Sequence, residues 1–401
     1  MRRELLHGTL TKKGWRSGLG SGLVALALVL ALASVTAGQG APGTHKIGYL
    51  HSFTGYLGST GAPSRDGFMA AVGEINKKGG VSGRRITVIQ ENDESDPSKG
   101  VPAALRLMAG EQVIAIVGPG RSDVTEALGP MAEKEQVVNM TCSFIMPTKG
   151  TYTFDTVPKP TEEARAAIGF IKARGAKTLA IVNAIDLYDK TAAKEFADEA
   201  GRQGIKVVGV ESFNAATDKN FIPQLTVLKA GNPDWLAVVA AGAPVPIILN
   251  QKAEMGFNVP VIGNLASVVV GLPSLLKIAG KNAQGVHVAT VPVAVWETLP
   301  KNDPRLPRIT EFREAYKAMY REYPIMANWW IAQNWDIANL LAEALKRAGA
   351  NATGTSLKRA MESIKDFHGV TGTFSFSESE HAGASGVVIA RIEGERLVLE
   401  K

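Results

Sequence analysis

The chain has 401 residues, 45% hydrophobic and 20% charged, with 42 glycines and 20 prolines. That length predicts two or three domains, each with its own core, and the composition excludes a disordered chain. A lone cysteine, Cys142, excludes a disulfide framework. No apolar run after the first forty residues reaches the roughly 20 residues that span a bilayer.

The formal net charge is +6, which invites a nucleic-acid reading. Its distribution removes that invitation. Residues 1–37 hold Arg2, Arg3, Lys12, Lys13 and Arg16 against Glu4 alone, a net of +4, so the rest of the chain carries only +2. The basic start is followed by the apolar run Leu19–Ala33 and by Ser34-Val35-Thr36-Ala37. Small residues three and one before a cleavage point describe a secretory signal peptide, cleaved near Ala37. The pair Arg2-Arg3 loosely resembles a twin-arginine export motif, but its flanks are incomplete and ordinary export is expected. No cysteine stands at the cleavage site for a lipid anchor. The expected product is free in the periplasm, with Cys142 a small buried apolar residue.

From His45 onward short β-branched runs alternate with helical stretches. Strands are expected at Lys46–Leu50, Arg85–Gln90, Val113–Val117 and Val137–Met140, with helices at Pro63–Lys77, Pro97–Ala109 and Val124–Lys134 between them. A second series places strands at Thr178–Val182, Lys206–Glu211, Trp235–Ala240, Pro260–Ile262 and Gly285–Ala289. Its helices are Glu162–Arg174, Lys190–Gln203, Asn220–Lys229 and Pro246–Met255. After Thr290 come a proline-punctuated loop, helices at Arg308–Tyr320, Trp329–Arg347 and Thr355–Ile364, and strands at Gly386–Ile392 and Arg396–Glu400. Such alternation predicts an α/β protein with parallel sheets covered on both faces. Ligands of open sheets lie at the carboxyl ends of the strands.

A search for chemistry returns little. The six histidines have no metal-ligand spacing, and there is no HExxH, CxxC or Walker A sequence. Gly118-Pro119-Gly120-Arg121-Ser122-Asp123 follows a strand, but lacks the third glycine of a dinucleotide fingerprint. As a nucleophile elbow it fails at Val124. No enzyme activity, metal or cofactor is expected. The segment does place a hydroxyl and free backbone N–H groups at a helix N-terminus, which is anion-binding geometry. Ser122 either caps its own helix or faces a ligand, and Arg121 either pairs on the rim or does the same. Trp329, Trp330 and Trp335 read as packing on one helix.

The ordered set Ile47–Gly61, Gly67–Gly83, Asn92–Pro97, Gly118–Ser122, Asp186-Leu187-Tyr188, Ala253–Phe257 and Ala332–Ala338 resembles the extracytoplasmic solute-binding proteins of ABC importers. The nearest branch is the leucine/isoleucine/valine-binding type. The resemblance covers nearly the whole chain after residue 37. It implies two Rossmann-like lobes joined by a three-crossover hinge, the periplasmic binding protein type I fold. Lobe one would be 44–157 plus 293–368 and lobe two 158–292 plus 369–401, closing over a solute.

Carried over by position, Ser122 falls where the family holds a ligand carboxylate, with Arg121 beside it. Thr141, Ser143 and Ile145 fall on the second binding strand end of lobe one. Tyr56 lies where an aromatic wall is common, and Tyr188 matches the element reaching from lobe two. Gly242, Asn264 and Leu265 fall at further lobe-two positions. Amino-acid binders carry a threonine where this chain has Ile145, an acidic residue where it has Leu265, and often an aromatic residue where it has Gly242. A buried ammonium without an acceptor costs several kcal/mol. The departures imply a carboxylate solute lacking an α-amino group, aromatic or branched.

The resulting expectation is a binding component that performs no chemistry. It would deliver a small-molecule solute to an inner-membrane ABC permease and its ATPase, as a monomer, with no nucleic-acid partner. The alternative is a ligand-sensing module of the same fold that regulates a signalling partner.

Overall fold

The computed structural model describes residues 43–55, 57–145, 150–268, 272–320 and 329–400. The expected signal segment and Tyr56 lie outside the described residues.

The first series runs β1 (His45–His51), α1 (Gly58–Lys77), β2 (Ile86–Asn92), α2 (Pro97–Leu105) with a π-helical turn at Arg106–Gly110, β3 (Ala115–Val117), α3 (Ser122–Glu135), β4 (Val138–Thr141) and β5 (Thr153–Asp155). Its strands pair in the order β2-β1-β3-β4-β5, all parallel. Covered on both faces, β3 and β4 are buried at every residue and β1 at all but Lys46, as central parallel strands are.

The second series runs α4 (Pro160–Ala173), β6 (Thr178–Ala184), α5 (Leu187–Arg202), β7 (Lys206–Phe213), α6 (Ile222–Ala230), β8 (Trp235–Val239), α7 (Pro244–Glu254), β9 (Val261–Gly263), a 3₁₀ turn at Leu265–Val268, α8 (Leu272–Ala279) and β10 (His287–Thr290). Its parallel strands repeat the winding of the first sheet, β7-β6-β8-β9-β10. In both sheets the chain reverses its direction of travel beside the first strand. That reversal leaves a crevice at the carboxyl ends of β1 and β3 in one sheet and of β6 and β8 in the other.

The remainder adds α9 (Leu306–Tyr320), α10 (Trp329–Ala348), α11 (Gly354–Glu362), the short antiparallel strands β11 (Phe367–His368), β12 (Thr373–Phe374) and β13 (Ala384–Ser385), then β14 (Val388–Glu393) and β15 (Arg396–Leu399). The last two extend the second sheet as antiparallel edge strands beyond β10. Helix α10 packs on α1 so closely that a Cβ on Gly67 would stand 2.1 Å from the Ile331 carbonyl oxygen. The segment through β13 stays with the first sheet. Asp155 forms a bridge with Ala382, and Phe154 meets the edge of Phe376 at 5.5 Å and stacks on His381 at 4.0 Å.

Every strand and helix expected from periodicity forms, within a few residues at its ends. The elements without a sequence signal are β5, α8 and β11–β13. All these strands have two or three residues, too short to show a period of two.

Candidate functional site

Two glycines shape the turn after β3. Gly118 has φ +103, and a Cβ there would lie 1.8 Å from the Leu50 carbonyl oxygen. A Cβ on Gly120 would lie 2.7 Å from the His51 ring. Only glycine lets this turn rest against the end of β1. The turn delivers Ser122 as the first residue of α3, whose Ser122 and Asp123 N–H groups have no partner inside the helix.

Ser122 does not cap the helix. Its hydroxyl donates to the Phe144 carbonyl across the turn, tying α3 to the loop after β4. Arg121 forms an ion pair with Asp123 at the rim, and this pairing holds the Asp123 carboxyl below its usual range.

The loop after β4 is held by two sets of bonds. Thr125, Thr141 and Ser143 form a triangle of hydroxyls with sides of 2.9, 3.0 and 3.1 Å. Asp155, fully buried, accepts from the Ile145 N–H at 3.0 Å and the Val157 N–H at 2.7 Å. Burial pushes the Asp155 carboxyl up to about 8.

From the second sheet, Asp186 caps α5 by accepting from the Asp189 N–H, which sets Tyr188 on the first turn. The Tyr188 hydroxyl donates to Glu163 Oε1, and Glu163 Oε2 accepts from the Leu265 N–H at 2.8 Å. Burial raises Glu163 to about 7. Asp189 is raised well above its usual range, first by burial and then by Asp186. It accepts from Asn264 Nδ2 at 3.1 Å, and Asn264 Oδ1 accepts from Ser267.

These two edges meet. Phe144 and Tyr188 stand edge to face with centroids 5.5 Å apart. Beside them lies a cavity of about 180 Å³ lined by Gly120, Ser122, Cys142, Ser143, Phe144, Val157, Tyr188, Ala241, Leu265, Ala266, Trp329 and Trp330. Among the described residues none of its lining side chains is charged.

Of the residues singled out from the sequence, Ser122, Ser143, Tyr188 and Leu265 line this cavity. Thr141 and Asn264 are fully buried behind it, in the hydroxyl triangle and the Asp189 network. Ile145 faces a neighbouring cavity of about 490 Å³ on the other side of Phe144. Arg121 is engaged at the rim. At the end of β8 the lining residue is Ala241, one residue before Gly242, whose φ of +76 turns the chain into α7.

Two expectations change. Trp329 and Trp330 face the cavity, whereas Trp335 packs in the core against Phe312 at 5.3 Å. Trp330 also stands edge-on to His51 at 6.0 Å. Cys142 is buried as expected, yet it reaches the cavity wall. No sequence pattern singles out Glu163, because a glutamate in the first turn of a helix reads as an ordinary dipole partner.

The chain matches the family described as Periplasmic binding protein over residues 44–396. It belongs to that family. A Pseudomonas aeruginosa leucine-, isoleucine-, valine-, threonine- and alanine-binding protein is 26% identical, with 87% of this chain and 90% of the relative covered. The Leu/Ile/Val-binding protein of Escherichia coli K12 is 23% identical over 68% of this chain and 72% of its own. An extracellular ligand-binding receptor from Rhodopseudomonas palustris HaA2 superposes with a TM-score of 0.78 at 22% identity, covering 89% and 99% of the two chains. A branched-chain amino acid transporter substrate-binding protein from Streptococcus pneumoniae, solved with isoleucine, superposes with a TM-score of 0.71 at 23% identity over 88% and 97%.

The fold is therefore that of a type I periplasmic binding protein. The relatives are solute-binding proteins, not enzymes. Among the described residues no helix is long and apolar enough to cross a membrane.

Proposed function

We propose that this protein is the exported receptor of an ABC importer, capturing a small carboxylate-bearing solute between its lobes and handing it to an inner-membrane permease and its ATPase. The cavity beside Phe144 and Tyr188 carries this reading, because residues from the carboxyl edges of both sheets build it. Closing two lobes on a solute stabilises the closed state by the difference in the solute's affinity for the two states.

The proposed lobes are 44–157 with 293–385, and 158–292 with 386–400. This puts the third crossover near Gly386 rather than after residue 368, since β11–β13 travel with the first sheet. Asp155 would fix the strand at the first crossover, and Asp336, which accepts from the N–H groups of Val370 and Thr371 at 2.8 Å, would steady the segment whose Val370 carbonyl accepts from the Val293 N–H at the second.

The favoured solute is an aromatic or branched acid lacking an α-amino group. Four aromatic rings line the cavity, donors are available at the α3 N-terminus and Ser143, and the Glu163 carboxylate behind Tyr188 already has both oxygens bonded. Residues 1–37 would direct export and be removed near Ala37.

Thermal unfolding against matched pairs tests this: L-phenylalanine with 3-phenylpropanoate, and L-leucine with 4-methylpentanoate. A solute bound only by the native state adds about 4 kcal/mol at a thousandfold excess over Kd. Stabilisation by the amino-free acids alone supports the reading. Stabilisation by the amino acids alone restores the ordinary role of the branch.

A further inference from the structure

The Glu163–Tyr188 bond links a fully buried carboxyl group to a phenol on the cavity wall. Resting on the solute reading above, we propose that the proton shared by this pair decides which solutes the cleft accepts. Ionised Glu163 makes Tyr188 an acceptor toward the cavity, and protonated Glu163 makes it a donor.

The geometry allows both states. When Glu163 is ionised, the Tyr188 O–H is committed to Oε1, and the phenolic oxygen keeps lone pairs for a solute group that reaches it from the cavity Tyr188 lines. A solute ammonium or hydroxyl then finds an acceptor backed by a negative charge. When Oε1 carries a proton, the carboxyl O–H donates to the phenolic oxygen and the phenolic hydrogen is free to turn toward a solute carboxylate. In both states Oε2 keeps its bond from the Leu265 N–H, so the wall itself stays in place.

Other ionisable groups face the pair, and most of them are acids. Helix α5 brings Asp186, Tyr188 and Asp189. The 264–268 turn brings the uncharged Asn264 and Ser267. The first crossover carries Asp155 and Lys159, the latter paired with Glu380. On α4 itself Glu162 pairs with Arg165 on the outer face, and His287 sits at the far end beside Phe170 at 4.9 Å. Among the described residues no cation pairs with Glu163. Burial holds its carboxyl near neutrality, at about 7, so both states are accessible around neutral pH.

Calorimetric titration of the protein with the two matched pairs, from about pH 6 to 8.5, reads the switch. The affinity ratio of each amino acid to its amino-free partner is expected to rise about tenfold over that range, one decade for roughly one unit of coupling. Glu163→Gln keeps the acceptor for Leu265 and donates its amide N–H to Tyr188, which fixes the donor state of the phenol. Its ratio should stay flat at the acid-side value. A ratio in Glu163→Gln that still rises with pH as in the unaltered protein overturns the proposal.

Tyr188→Phe should flatten the ratio too, which guards against misfolding of the first variant. If no probe binds the unaltered protein, the solute reading fails. The switch is then judged separately from the carboxyl ¹³C titration of Glu163. Losing the phenol's donated bond should raise that titration in Tyr188→Phe, and an unchanged midpoint overturns the proton assignment.

Discussion

Asp155→Asn separates the two jobs of the buried carboxyl at the end of β5. Each Asp155 oxygen accepts one backbone N–H, from Ile145 and Val157. An asparagine can accept only one of them, and its amide hydrogens would face the other N–H. One buried donor is left without an acceptor, at a cost of about 1–3 kcal/mol. The pH dependence has the opposite sign. Burial pushes Asp155 up to about 8 in the folded chain from its ordinary value of 3.8. The folded state therefore binds its proton more tightly than the unfolded state. Stability falls as pH rises between those values, by an amount on the order of 5 kcal/mol at full ionisation. Asparagine does not ionise and escapes this loss. Urea unfolding at about pH 5 and pH 8.5 should show the variant less stable than the unaltered protein at the lower pH, with the deficit shrinking or reversing at the higher one. A deficit that grows with pH would refute the reasoning, because it would mean that the ionised carboxylate is the stabilising form.

Three further outcomes follow from the cavity. Gly120→Ala should cost about 1–3 kcal/mol in unfolding experiments, since its Cβ would stand 2.7 Å from the His51 ring and push it toward Trp330. Trp330→Ala should lower the affinity for any solute that stabilises the protein by about tenfold or more in calorimetry, by removing one wall of the cavity. Ser143→Ala should weaken the same binding by a few-fold, with a stability loss of about 1 kcal/mol from the broken hydroxyl triangle, measured by urea unfolding.

Much of the fold was legible because its strands and helices are long enough to show their periods. The first series, from β1 to β4, and the second, from β6 to β10, each followed from apolar runs separated by amphipathic stretches. The antiparallel return of β14 and β15 also appeared as expected strands around Gly394. The place of β11–β13 was not legible. This segment's pairing to β5 depends on contacts such as Phe154 with His381, over two hundred residues apart in sequence.

The site divides along the same line. Positions fixed by a local turn, namely Ser122 after the glycines and Tyr188 after the Asp186 cap, could be found from sequence. Positions fixed by tertiary packing could not. Glu163 reaches the site only because α4 lies against α5 and the 264–268 turn, and Trp330 only because α10 passes the end of β1. A one-residue offset at the end of β8 separates Gly242 from Ala241, which is the scale at which strand-end loops escape sequence patterns.

A structure of the protein with the matched acid that stabilises it most tests the central claim directly. The account predicts the solute in the cavity between Phe144, Tyr188, Trp329 and Trp330, its carboxylate at the N-terminus of α3, and no ammonium paired to an acidic side chain. A solute bound outside the cleft, or an ammonium held by a carboxylate that has left its bonds to Tyr188 and Leu265, would contradict it.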